Sequence, residues 1–304
     1  MIISNTRTLI SVFLLRFLTD GSCFYENRRI ENDYCLQNIT NCFFTRHTAY
    51  IDENACGGVI YVANIAFALR VSDTTFYLCS SGLFGGAIFF SSEGSLNLTK
   101  VCAIKCYSLE NHYQFTISVT GFNETNSFSL VSIVQCAPID VYQNNICYSL
   151  INGNQILKSV NSSYNTVREV SIGSVVSDYA TYFSFCTSAN NYAKRYIGLF
   201  TSKYSKQKEF IYSNFINNTQ RDSYYGTIVY WNSNAVFKHN YYSSNSKPLF
   251  HQKENNSTIK KLLRCSQAIS NFHYSTIMCQ TLPQVASRSC FLYMYGIVFV
   301  HFFV

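Results

Sequence analysis

Short apolar runs alternate with polar turns along the chain, and the spacing of the apolar residues is typical of β-strands. Gln114–Thr120 and Phe128–Cys136 alternate apolar and polar residues or form short runs rich in β-branched and aromatic side chains. No stretch of the sequence repeats apolar residues at the three-and-four spacing of an amphipathic helix over a dozen residues. The pattern therefore predicts an all-β protein.

Pairs of glycines stand directly before two of these runs. Gly57 and Gly58 precede Val-Ile-Tyr-Val, and Gly85 and Gly86 precede Ala-Ile-Phe-Phe. Glycine fits a corner that needs positive φ or a close backbone approach. Gly226 begins a third copy, Gly-Thr-Ile-Val-Tyr. We expect the isoleucines after these corners to occupy equivalent inward positions of parallel strands: Ile60, Ile88 and Ile228.

A second element recurs between the glycine corners, an aromatic residue followed three positions later by Asn or Cys. The copies are Phe76 with Cys79, Phe183 with Cys186, Phe215 with Asn218, and Tyr242 with Asn245. A fixed period of this size indicates stacked units that each need a neighbour to bury an apolar face. We expect the aromatic ring to point inward and the Asn or Cys to lie in a tight turn, where Asn amides can form a ladder between coils.

These repeats predict a parallel β-helix solenoid with coils of about 25–30 residues, each holding two or three short strands joined by turns. The predicted domain covers residues 32–271. The phrases Gly-Gly-Ala-Ile and Phe-x-x-Asn resemble the repeats of the polymorphic outer membrane protein family, which are right-handed, pectin-lyase-like β-helices of bacterial surface proteins. Surface proteins of parasitic protists carry similar repeats. The resemblance covers about half of the chain, and it implies a right-handed solenoid, surface display and adhesion, with no catalytic residue.

Both ends of the chain carry apolar segments. Residues 1–23 place Arg7 before the apolar run Leu9–Leu18 and end in small residues, which is the pattern of a secretory signal peptide. Residues 282–304 form a C-terminal tail whose apolar run, Cys290–Val304, has 15 residues and is shorter than the ~20 residues of a spanning helix. This tail is a candidate membrane anchor, a removed lipid-anchor signal or a last buried strand. The sequence thus predicts a secreted or cell-surface protein.

The cysteines and the glycosylation sequons are compatible with a secreted or cell-surface protein. The 13 cysteines include no Cys-x-x-Cys pair, which favours disulfides or stacked buried thiols over a zinc site. Seven Asn-x-Ser/Thr sequons would be acceptor sites on an exported glycoprotein: Asn38, Asn97, Asn123, Asn161, Asn217, Asn255 and Asn256. Lys and Arg give a net charge of +7 but are scattered without a basic, aromatic-interleaved stripe, so we expect no nucleic-acid partner.

The residues offer little for catalysis. Asp52 and Glu53 form the only adjacent carboxylate pair in the sequence, and glycoside cleavage needs two carboxylates that face one bond. The six histidines show no metal-ligand spacing, so we expect no metal and no cofactor. The alternative to a binding protein is a β-helix polysaccharide lyase or hydrolase.

Exposed tyrosines are more informative about function than the carboxylates and histidines. Amphipathic rings on a flat solenoid face can bind sugars or proteins, although the same rings can simply cover the coil faces. We predict a non-catalytic protein with an adhesin-like or structural interaction role, whose partner is a host-cell or matrix protein or a glycan. The expected binding surface contains Tyr224, Tyr225 and Tyr241.

Overall fold

The computed structural model describes a chain that is all β, with parallel strands stacked as a solenoid. The described residues are 30–31, 38–49, 56–63, 68–108, 114–121, 124–136, 145–167, 173–176, 180–193, 199–201, 208–221, 229–231, 235–246, 250–251 and 259–264. The predicted fold class is confirmed. The hand of the solenoid and the domain limits 32–271 stay predictions. Within the described part of the chain, no helix has the length and apolar character needed to cross a membrane.

The strands follow one another in short steps. In chain order they are β1 (Ile30–Glu31), β2 (Asn38–Thr40), β3 (Phe43–Thr45), β4 (Thr48–Ala49), β5 (Ile60–Val62), β6 (Leu69–Tyr77), β7 (Ser80–Ser81), β8 (Ile88–Ser92), β9 (Leu96–Ile104), β10 (Tyr107–Ser108), β11 (Gln114–Gly121), β12 (Thr125–Val134), β13 (Asn145–Ile151), β14 (Asn154–Lys158), β15 (Asn161–Ser163), β16 (Thr166–Val167), β17 (Gly173–Val176), β18 (Thr181–Ser184), β19 (Thr187–Ala189), β20 (Tyr192–Ala193), β21 (Leu199–Thr201), β22 (Lys208–Ile211), β23 (Asn214–Ile216), β24 (Thr219–Gln220), β25 (Val229–Trp231), β26 (Ala235–Ser243), β27 (Phe250–His251) and β28 (Ile259–Arg264).

Successive coils add strands to three sides of the solenoid. The first sheet has the order β1-β5-β8-β11-β13-β17-β21-β25-β27, so every coil adds one strand to it. The second sheet holds the longer strands, from β2 and β3 through β6, β9 and β12 to β26 and β28. Short strands form the third side as β4-β7-β10 and β16-β20-β24. Residues paired in register on successive coils are 21 to 32 positions apart, a range that includes the predicted coil length.

The core is a set of columns in which one inward residue of each coil lies on the next. One column of the second sheet is fully in register and buried over eight strands: Ile39, Val71, Leu98, Phe128, Leu157, Phe183, Phe210 and Phe237. The rings of Phe210 and Phe237 stack with centroids 4.8 Å apart. Burying each of these side chains contributes roughly 1.5–3 kcal/mol. Every coil thus completes the core of its neighbours.

The first sheet shows which residues follow the glycine corners. Ile60 and Ile88 are paired in parallel strands and fully buried, as expected. Ile228 lies outside the described residues, so its grouping with Ile60 and Ile88 stays a prediction. The next residue, Val229, pairs in register with Leu199 of the preceding coil.

Candidate functional site

Two one-residue turns bend each coil at the second sheet, and both use a left-handed backbone. At the first corner the residues with φ between 47° and 59° are Asn41, Asp73, Lys100, Leu130, Ser159, Phe185, Tyr212 and His239. At the second corner they are Arg46, Leu78, Lys105, Gln135, Tyr164, Asn190, Asn217 and Ser244. A non-glycine residue in this conformation costs roughly 1–2 kcal/mol, least for Asn and Asp. The two corners therefore store strain that other contacts must offset.

An asparagine ladder stabilises the second corner. Asn165, Asn191, Asn218 and Asn245 each follow the corner residue of successive coils, and all but Asn245 are fully buried. The Asn191 Oδ1 atom accepts hydrogen bonds from the Asn165 backbone N (2.9 Å) and side-chain Nδ2 (3.1 Å). Each Nδ2 also donates to a carbonyl of the preceding coil, as Asn191 does to Ser162 O (2.8 Å). The ladder expected from the sequence is thus formed by side chains that bond both neighbouring coils.

Cysteines occupy the same position in the earlier coils. The thiols of Cys79, Cys106 and Cys136 donate to the carbonyls of Phe44 (3.6 Å), Phe76 (3.5 Å) and Ala103 (3.4 Å) of the preceding coils. A thiol therefore replaces the amide donor of the asparagine ladder. Six described cysteines are buried: Cys42, Cys56, Cys79, Cys106, Cys136 and Cys186. Cys102 is disulfide-bonded.

The aromatic partners in the repeat belong to two different corners. Phe76, Phe215 and Tyr242 lie before the second corner, where Phe215 and Tyr242 stack at 5.2 Å. Phe183 and Cys186 flank the first corner instead, and the register pairs Phe183 with Phe210. Grouping Phe183 with Phe215 was therefore wrong, because both corners share the pattern of an aromatic residue three positions before a small polar one.

Burial raises the pKa of the Cys186 thiol to about 12 from an ordinary value of 9.0. Because the folded pKa is the higher one, the stabilisation by this thiol is complete below about pH 9 and is lost as the pH rises toward 12. Cys186→Ser keeps a hydroxyl donor and removes this ionisation. We expect the variant to lose less stability than the unmodified protein, by roughly 3 kcal/mol between pH 8 and pH 11. Urea unfolding at pH 8, 9.5 and 11 under reducing conditions measures the difference, and equal pH slopes would contradict the assignment.

One outward side of the second sheet collects exposed apolar side chains. Ile156 (38% exposed) and Tyr182 (44%) are paired in register on β14 and β18. Phe185 (37%) and Tyr212 (39%) lie at the first corner directly after β18 and β22. Of the large apolar side chains exposed in the described residues, these four share one side, and Tyr164 lies at the other corner. We call the four residues the outward aromatic face, and exposed patches of this kind mark interaction sites.

The rings at the first corner form a continuous stack. Phe185 and Tyr212 stack with centroids 5.3 Å apart, and Tyr212 and His239 with centroids 5.1 Å apart. In an earlier coil the same corner holds Asn41, which suits the left-handed backbone. Three later coils carry rings at this left-handed position instead, and of these Phe185 and Tyr212 are exposed while His239 is half-buried.

The tyrosines expected to form the binding surface lie elsewhere or outside the described residues. Tyr224 and Tyr225 are outside them, as is Gly226. Tyr241 is half-buried on β26 and pairs in register with Asn214. The residues of the outward aromatic face were missed from the sequence. The signal that could have found them is the spacing of Phe185, Tyr212 and His239, which each precede the small polar residue of the first corner.

The sequons differ in accessibility. Asn38 and Asn217 are exposed, whereas Asn97 is half-buried on β9 and Asn161 is buried on β15. The Asn217 Nδ2 atom donates to Asn190 Oδ1 at 2.7 Å on the surface of the second corner. A glycan on Asn161 is incompatible with this packing. Three further sequons, Asn123, Asn255 and Asn256, lie outside the described residues.

Charged groups do not gather into a catalytic or metal site in the part of the chain that the structure describes. There, Asp73 forms an ion pair with Lys100 (3.3 Å) and Glu209 with Lys238 (3.8 Å). No group of three or more His, Cys, Asp or Glu residues within the described ranges could hold a metal ion. Asp52 and Glu53, the signal segment 1–23 and the tail 282–304 are not among the described residues.

Comparison with known proteins gives no further assignment. No protein-family model matches the chain, no curated protein matches it, and neither does any solved structure. The chain is therefore characterised by its β-solenoid fold and by the outward aromatic face described above.

Proposed function

We propose that the protein is a secreted or surface-displayed, non-catalytic β-solenoid with an adhesin-like role, and that it binds its partner through the outward aromatic face. The observation that carries this proposal is the alignment of exposed rings at strained corner positions of successive coils. Inward columns and turn ladders are accounted for by coil stacking, so the outward sides are left for binding. The partner class is a host-cell or matrix protein or a glycan.

We also propose that the repeats are of the polymorphic outer membrane protein type. The support is that residues of both repeat motifs, Gly-Gly-Ala-Ile and Phe-x-x-Asn, have a structural role in the coil. Gly57 and Gly85 take the positive φ of the corner, and the Asn218 side chain donates both to Ser188 O of the preceding coil and to Asn245 Oδ1 of the following coil. A surface protein with this architecture needs no cofactor. The predicted signal peptide and the predicted apolar tail would supply export and membrane attachment.

Tyr212→Asn separates binding from stability. Asn suits the left-handed corner, so relief of roughly 1 kcal/mol of strain offsets the loss of ring stacking worth about 0.5–1.5 kcal/mol. We therefore expect the free energy of unfolding to change by less than about 1 kcal/mol, while adhesion of the purified chain to cells or matrix falls about tenfold. Denaturant titration and a plate adhesion assay measure the two quantities.

Tyr164→Asn is the matched control. Tyr164 is also an exposed ring in left-handed conformation, 55% exposed, but it lies at the second corner and outside the outward aromatic face. The control should adhere like the unmodified protein. Equal loss of adhesion in both variants, or in neither, would contradict the proposed binding face.

A further inference from the structure

One row of side chains on the outward side of the second sheet contains charged groups as well as apolar ones. Tyr182 pairs in register with Ile156 on the preceding coil and with Glu209 on the following one. Parallel strands lie about 4.8 Å apart, so these side chains are direct neighbours along the solenoid axis. One coil further, Lys238 Nζ lies 3.8 Å from Glu209 Oε1. An exposed ring, a carboxylate and an ammonium group thus follow one another on three successive coils.

We infer that Tyr182, Glu209 and Lys238 form a subsite for a neutral saccharide, an inference that rests on the proposed function. A sugar ring presents an apolar C–H face that packs on an aromatic ring, and hydroxyl groups around its rim. Carboxylate oxygens accept hydrogen bonds from such hydroxyls, and an ammonium group donates to their oxygens. The Tyr182 ring supplies the platform, and the two charged groups lie on one side of it.

The charges favour a neutral ligand. Glu209 and Lys238 neutralise one another, and their side chains keep 21% and 36% exposure, so both remain accessible to hydroxyl groups. A sulfated or carboxylated sugar would gain no net attraction from this neutralised pair. A purely apolar protein contact would instead bury the ion pair at a desolvation cost. The combination therefore fits a sugar better than a protein anchor.

Retention of the full chain by neutral polysaccharides tests this inference. The probes are xylan, galactomannan and a mixed-linkage β-glucan immobilised on beads, with heparin beads as the acidic arm. We expect retention on at least one neutral polysaccharide, and a loss of about tenfold in affinity for Tyr182→Ala and for Glu209→Gln. Tyr164→Ala should bind like the unmodified protein. Circular dichroism and thermal melting establish that each variant is folded.

The outcomes separate the subsite from the proposed function. Retention on heparin alone, or on no polysaccharide, overturns the subsite, and so does neutral retention that Tyr182→Ala and Glu209→Gln leave unchanged. Cell adhesion that still depends on Tyr212 would then leave the proposed function standing. Conversely, retention that depends on Tyr182 together with cell adhesion independent of Tyr212 would support the subsite and contradict the adhesion face.

Discussion

Replacing Asn191 with alanine is expected to lower the free energy of unfolding by about 4 kcal/mol. The Asn191 side chain is fully buried and bonds both neighbouring coils, the preceding one through Ser162 O and the Asn165 backbone N and the following one through Asn218 Oδ1. Its removal leaves a buried amide without an acceptor and a buried carbonyl without a donor, and each such group costs about 1–3 kcal/mol. Urea titration followed by circular dichroism measures the change.

Two further variants show whether the ladder is the cause. Asn191→Cys should recover part of the loss, because thiols serve as donors at this position in three earlier coils. Asn154→Ala, at a half-buried position at the start of β14, should change stability by less than about 0.5 kcal/mol. If Asn191→Ala were as mild as Asn154→Ala, the ladder would not be a major source of stability.

The coil stack was predictable from the sequence because its rules are local. Gly57 and Gly85 indicate corners that need positive φ, and runs of β-branched and aromatic residues indicate the strands between them. The role of asparagine at the second corner was also predictable, because its amide is suited to hydrogen bonding between coils. These features repeat in successive coils, so even an incomplete repeat revealed them.

The outward aromatic face was missed because the corner breaks the alternation of inward and outward residues. Counting by twos from the buried Phe183 predicts that Phe185 also points inward. The left-handed residue at the first corner shifts the alternation by one position, so Phe185 is exposed and the next inward residue is Cys186. The same shift leaves Tyr212 exposed after the buried Phe210. Bulky aromatic residues also have no preference for a left-handed backbone, so they give no sequence signal of a turn.

The variable coil length explains the alignment error in the aromatic repeat. Steps of 21 to 32 residues cannot tell the first corner from the second when both follow an aromatic residue. Phe183 was therefore matched with Phe215, although its partner in register is Phe210. Only the strand registers resolve such an offset.

Gly85→Ala is expected to destabilise the protein by about 3 kcal/mol or more. Gly85 has φ +67°, which costs an alanine roughly 1–2 kcal/mol. A Cβ atom there would also overlap the Ile88 carbonyl oxygen, so the strand that follows the corner must move. Because Gly58 N donates to Gly85 O at 2.9 Å, the distortion would reach the neighbouring coil. Urea titration measures the loss.

Gly85→Asn distinguishes the two causes of that loss. Asparagine tolerates the left-handed backbone but retains the Cβ atom, so this variant should remain destabilised through the contact with Ile88 alone. Gly94→Ala, in the turn between β8 and β9 and outside the left-handed region, should be nearly neutral. Full stability of Gly85→Asn would show that backbone strain, and not the close approach of the chain, requires glycine at this corner.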